Sequence, residues 1–176
     1  MRIIFESHST SEDNEKWIAS GHLNPPLSEK GREQAIELGK RYASWVPDII
    51  LCSDLKRSSE TADLAFPHFP KIQSPFLREW NYGTYNGKSV EEVENLKHSH
   101  IHDPFPEGES LDSTVVKILD FLDLQLTIYQ NILIIAHRST FYALEHRYNR
   151  RSLESLIRAP WTWRPGWVYQ GEKATC

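Results

Sequence analysis

Two histidines occupy positions from which imidazole could attack phosphorus. His8 lies in Ser7-His8-Ser9-Thr10-Ser11, directly after the apolar run Ile3-Ile4-Phe5, and His137 lies in His137-Arg138-Ser139-Thr140, directly after Ile132-Leu133-Ile134-Ile135-Ala136. Neutral imidazole is a nucleophile and protonated imidazole holds an anion, so a converging pair suits covalent phosphoryl transfer. Arg57 follows Ser53-Asp54-Leu55 in what reads as a first helical turn, where a guanidinium fork and helix N–H groups can both meet phosphate oxygens. Glu79 stands among aromatics in Leu77-Arg78-Glu79-Trp80-Asn81-Tyr82-Gly83. Desolvation there is expected to raise its pKa and make it a proton donor. Each residue alone also has a plainer reading: hydrogen-bonded structural histidines, a solvated helix start, a surface acid. His98, His100 and His102 alternate, but no cysteine or acid completes a familiar metal spacing around them, so no metal is expected.

These residues need elements to bring them together. The runs at Ile3, Ile49-Ile50-Leu51-Cys52 and Ile132 are rich in β-branched residues and read as buried strands, each ending in polar residues. Ser110 is a candidate N-cap for a helix whose Leu111, Val115, Ile118, Leu119, Leu122 and Leu126 share one face. A second helical pattern runs from Ser28 through Ala35, Leu38, Tyr42 and Trp45 until Pro47 stops it, and a third spans Lys56 to Ala65. Alternating strand and helix predicts an α/β three-layer sandwich: a mostly parallel central sheet with helices on both faces and ligands at the carboxyl ends of its strands. Residues 80–109, with Gly83, Gly87, Pro104, Pro106 and Gly108, read as long loops around a short helix near Val90 to Leu96, forming a short cap over the site. Trp167-Val168-Tyr169 reads as an edge strand, and the nearby tryptophans as cover for the core.

The 176 residues, 39 % of them hydrophobic, suit a single domain spanning 1–176. A net charge of −4 without a basic stripe argues against nucleic acid. Cys52 reads as buried and Cys176 ends the chain, so a disulfide framework has no support and a reducing cytoplasm fits. No apolar run approaches the ~20 residues needed to span a bilayer, so a soluble, unprocessed protein with no membrane partner is expected. The sequence leaves a homodimer open.

Taken in order along the chain, these segments resemble the histidine phosphatase superfamily, the phosphoglycerate mutase-like enzymes. His8, followed by Ser9, Thr10, Ser11 and Asn14, is similar to the family's opening motif. Gly21 to Ala35, then Ser53-Asp54-Leu55 leading to Arg57 and Glu60-Thr61-Ala62, look like its next two blocks. Leu77 to Gly87, Glu107-Gly108-Glu109-Ser110 and Ile134 to His137 are similar to the remaining ones. The resemblance implies that His8 becomes phosphohistidine and that Arg57 and His137 hold phosphoryl oxygens. Ser7, Ser9, Ser11 and Asn14 would line the phosphate site, Glu79 would protonate the leaving oxygen, and water would then release phosphate from a small phosphorylated substrate without cofactor or metal. A mutase and a catalytically silent phospho-ligand binding protein are the alternatives. The chain departs from the pattern twice: Ser7 stands where the family has arginine, and Arg138 where it has glycine. Arg138 is expected to compensate for the missing cation. The alternatives are neutralisation by Glu6, or an outward-facing Arg138 beside a weakened site.

Overall fold

The structure, a computed structural model, describes residues 1–171; Cys176 lies outside them. In chain order the elements are β1 (Arg2–Ser7), α1 (Glu12–Glu15), β2 (Ile18–Ala19), α2 (Glu29–Arg41), β3 (Ile49–Ser53), α3 (Lys56–Ala65), β4 (Lys71–Ser74), β5 (Lys88–Ser89), α4 (Val90–Lys97), α5 (Leu111–Leu126), β6 (Asn131–Ala136), α6 (Arg138–Tyr148), α7 (Leu153–Arg158) and β7 (Trp167–Gln170). Five strands form one sheet in the order β4-β3-β6-β1-β7, while β2 and β5 pair separately. β4, β3, β6 and β1 run parallel, and β7 closes the edge antiparallel to β1.

Strand alternation sorts the core into two layers. Ile3, Phe5, Ile49, Leu51, Ile132 and Ile134 face the side covered by α5 and α6, while Ile4, Ile50, Cys52, Leu133 and Ile135 face Leu38 of α2 and Ala62 of α3. The expected three-layer α/β sandwich is the fold. Its central strands are apolar on both faces because both are covered, as parallel sheets require.

Two boundaries differ from expectation. α2 ends at Arg41, short of Pro47, because Tyr42 turns out of the helix, packs against Trp45 and Phe66, and donates its hydroxyl to Glu6 Oε1 at 2.6 Å. Residues 80–109 hold the expected short helix as α4, and the segments around it are more ordered than long loops, with two single 3₁₀ turns among them. Trp80, Tyr82, Val93, Ile101 and Phe105 bury their side chains in the core layer below α5. The three alternating histidines diverge there. His98 meets Arg158, His100 stacks on Phe105, and His102 bridges Asp112 and Glu154. Among the described residues no helix is long and apolar enough to cross a membrane.

Candidate active site

Strand register brings the two histidines together. β1 pairs in parallel with β6, Ser7 opposite Ala136, so His8 and His137 leave adjacent strands at the same level. The His8 N–H donates to the Ala136 carbonyl at 2.9 Å, and the two imidazole centroids are 5.0 Å apart.

The loop carrying His8 is fastened to its neighbours through the main chain. Ser9 N–H donates to Thr61 Oγ1, and Thr10 N–H and Oγ1 both donate to Gln34 Oε1. Gly31 lies so close beneath this loop that a Cβ there would stand 1.9 Å from the Thr10 carbonyl oxygen. Only glycine permits that approach. Glu60 accepts the Leu27 N–H, tying the start of α2 to α3.

His8 Nδ1 lies 2.7 Å from the Ser9 carbonyl oxygen. A carbonyl only accepts, so neutral His8 carries its proton on Nδ1 and keeps the Nε2 lone pair. Burial and the Arg57 guanidinium push the His8 pKa down to about 4, against smaller opposing effects of the Ser9 carbonyl and Glu79. His137 is fully buried, and neither ring nitrogen has a partner. Desolvation, Arg57 and His8 push its pKa well down too. A buried polar ring without partners costs free energy, a frequent mark of a functional centre.

Arg57 enters from the first turn of α3. Its Nη1 and Nη2 donate to the carbonyls of Leu23 and Gly21, both at 2.8 Å, which fixes the guanidinium at 2 % exposure. Ser58 anchors the same turn by accepting from Ser53 N–H and donating to the Ile135 carbonyl, so β3, α3 and β6 meet there.

Glu79 does not behave as its aromatic surroundings suggested. Burial raises its pKa, but Lys97, the Trp80 N–H, a bond from Ser139 and the Arg57 charge outweigh that, and the carboxyl sits below its ordinary value. The expectation of a raised pKa is therefore corrected. Lys97 is the largest of these lowering influences, and a helix terminus adds to it: α6 has no side-chain cap of its own, and Glu79 accepts the N–H groups of Arg138 at 3.2 Å and Ser139 at 3.1 Å. A carboxylate at a helix N-terminus is stabilised in its charged form. Arg78, bound through Nε and Nη2 to Asp54, holds the neighbouring residue in place.

A cavity of about 710 Å³ is lined among others by Ser7, His8, Arg57, Glu79 and Arg138, whereas His137, fully buried beside His8, is not part of its wall. Asn14 lines the cavity as well, with Oδ1 accepting the Ser11 N–H, and so does Ser9, whose N–H is held by Thr61 Oγ1. Ser11 is fully buried and caps α1, its Oγ accepting from Asn14 N–H, and it is not part of the cavity wall. Arg138 turns inward. Its Nη1 donates to Glu94 Oε1 at 2.9 Å, and its guanidinium carbon lies 5.3 Å and 5.4 Å from the ring centres of Tyr142 and Trp161. Both the outward Arg138 and its neutralisation by Glu6 are corrected: Glu6 is paired with Arg41 and Tyr42 instead. Trp161 and Trp163, read as core cover, reach the cavity wall. Lys97 also lines it at 4 % exposure and escaped the sequence reading, because a lysine ending a polar helix looks like a solvated one.

The sequence pattern of the histidine phosphatase superfamily (branch 1) matches residues 3–163. The chain belongs to this superfamily. A 2,3-bisphosphoglycerate-dependent phosphoglycerate mutase of Bartonella bacilliformis is 30 % identical over 175 residues, covering 88 % of this chain and 84 % of the relative. The adenosylcobalamin/alpha-ribazole phosphatase of Escherichia coli is 26 % identical over 156 residues, covering 82 % and 77 %. The histidine phosphatase fold is shared with Bacillus stearothermophilus YhfR, at a TM-score of 0.85 and 22 % identity, over 99 % of this chain and 93 % of that one. Relatives in this superfamily thus carry the names of both phosphatases and mutases.

Proposed function

We propose that this histidine phosphatase hydrolyses a small phosphorylated metabolite through a phosphohistidine on His8. The observation that carries the reading is a neutral His8 with its Nε2 lone pair free, its ring 5.0 Å from the unpartnered ring of His137, and the buried Arg57 charge acting on both. His8 Nε2 bonds to phosphorus as the ester P–O bond breaks. The leaving oxygen takes a proton, and water then attacks phosphorus, releasing phosphate and restoring His8. Arg57, and His137 once protonated against the phosphoryl group, hold charge where it develops, the largest help a protein gives such a transfer. Glu79 starts ionised, so the proton enters with a monoanionic substrate and passes through Glu79 to the leaving oxygen. Residues 80–109 act as the cap, and the reaction is assigned to the cytoplasm.

Arg138 supplies the cation that Ser7 lacks. Ile3 and Phe5 face the layer of α6, and alternation puts Ser7 on that face as well. Arg138 Nε, buried and without a partner, is the donor available to a phosphoryl oxygen.

The test is acid-quenched trapping of the phosphoenzyme with a panel of phosphorylated metabolites. Phosphate release with a phosphohistidine that disappears in His8→Ala supports the reading; His8→Ala with near wild-type turnover overturns it. Ser7 keeps a second reading in play, a protein that binds phosphorylated ligands without turning them over. Ligand binding without phosphoenzyme across the panel would select it, while conversion of 3-phosphoglycerate to 2-phosphoglycerate would select a mutase.

A further inference from the structure

The turn Gly21-His22-Leu23, between β2 and α2, holds Arg57 and Glu79 at once. The Gly21 and Leu23 carbonyls accept the two Nη groups of Arg57, and the ring of the residue between them bonds the main chain of the acid: His22 Nε2 lies 2.8 Å from the Glu79 carbonyl oxygen. A carbonyl only accepts, so Nε2 carries the proton. Burial holds the His22 pKa below its ordinary value, and the ring is neutral at pH 7. His22 is not part of the cavity wall, so it bears on the chemistry only through what it holds.

The turn is itself fixed in place. His22 N–H donates to Asn86 Oδ1 at 3.3 Å, and the same oxygen accepts the Tyr82 N–H at 3.0 Å. Gly21 has a φ of +51°, and a Cβ on it would stand 1.8 Å from that oxygen. Only glycine permits this approach.

The carbonyl that His22 bonds belongs to the peptide unit whose other end is the Trp80 N–H, and that N–H donates to Glu79 Oε1 at 2.9 Å. A peptide unit is planar, so fixing its oxygen fixes the direction of its N–H. A hydrogen bond at the oxygen also polarises the unit and strengthens what the N–H donates. One rigid group therefore links the imidazole to the carboxylate, which α6 holds from its other side through the Arg138 and Ser139 N–H groups.

Resting on the phosphatase reading, in which Glu79 passes the proton to the leaving oxygen, we propose that His22 is a positioning residue for Glu79: its Nε2–H orients the Glu79–Trp80 peptide and through it aims the carboxylate. Because the same turn binds Arg57, the cation that holds the phosphoryl group and the group that carries the proton keep a fixed spacing, although they come from different elements.

His22→Leu and His22→Phe each remove the donor, the second with a ring of similar shape, while the side-chain amide of His22→Gln replaces it. Alkyl and nitrophenyl phosphates give the first readout, since only the alkyl leaving group needs a proton. Either apolar variant should lose about three- to tenfold more kcat/KM on the alkyl ester than on the nitrophenyl ester, the worth of one hydrogen bond, and His22→Gln should recover most of that difference. Equal losses on both esters would put the effect on Arg57 or on the fold and overturn the proposal. The second readout needs no turnover: the Glu79 carboxyl is titrated by 13C NMR, its signal identified by its absence in Glu79→Gln. The Trp80 N–H helps to hold this carboxyl in its charged form, so the apolar variants should raise its pKa and His22→Gln should return it toward wild type. If the phosphatase reading fails, neither ester releases phosphate and the titration still decides what His22 does. A Glu79 titration unmoved in the apolar variants overturns the positioning role and leaves the phosphatase standing.

Discussion

Burial and Arg57 hold His8 near 4, and Lys97, with hydrogen bonds that include the N-terminus of α6, holds Glu79 below its ordinary value. At neutral pH the proposed nucleophile is ready, but the proposed acid lacks its proton. A phosphomonoester loses its second proton at about pH 6, so below that the substrate itself can bring one. Protonation of His8 then cuts activity as pH falls through about 4. kcat/KM should therefore peak between these limits and decline above about 6; an optimum near 8 would rule out this proton route. Glu79→Gln should impair alkyl phosphates far more than nitrophenyl phosphate, whose leaving group needs no proton, and equal losses would count against the role. Arg138→Ala should lower kcat/KM about ten- to a hundredfold, the worth of one charge-assisted contact, and Ser7→Arg with Arg138→Gly should recover a good part of it. A wild-type rate in the single variant would end the compensation idea.

At the scale of elements, α2 supports the loop of the nucleophile from below, and the contact depends on a missing side chain. Replacing glycine by alanine within a helix ordinarily stabilises by roughly 0.5–1 kcal/mol. At Gly31 the sign should reverse, because the added methyl meets the Thr10 carbonyl oxygen, a backbone atom that cannot move without displacing the histidine loop. Gly31→Ala is expected to destabilise by at least ~1 kcal/mol, as for other overpacked sites, and to slow turnover. Urea midpoints at constant slope measure the first effect, and a stabilised variant would refute the close approach. α5 offers a control whose N-cap is not part of the cavity wall. Ser110 Oγ accepts from the Ser113 N–H at its N-terminus, so Ser110→Ala should cost about 1 kcal/mol while leaving the Michaelis constant untouched.

For the molecule as a whole, the two buried imidazoles couple stability to pH. Both have pKa values below the unfolded value of about 6.5, so on acidification the unfolded chain binds their protons first. Their contribution to stability is complete above about 6.5 and is lost as pH falls through the folded-state value, about 4 for His8. Unfolding free energy should drop between pH 7 and 5, and His137→Gln should flatten that slope; an unchanged slope would mean the ring is not buried neutral in solution. The sheet, four of its five strands (β1, β3, β6 and β7) and the helices α2, α3, α4 and α5 were legible in the sequence, because apolar runs and helical periodicity are local signals. So were His8, Arg57, Glu79 and His137, each placed at the end of such a run or at the start of a helix. α6 and α7 escaped: α6 buries polar Ser139, Thr140 and Glu145 beside its apolar residues, which blurs the period. The ionisation of Glu79, the inward turn of Arg138 and the burial of Lys97 were decided only by the tertiary structure. Each depends on partners 44 to 60 residues away or on a cavity wall built from several elements, and no spacing along the chain encodes those distances.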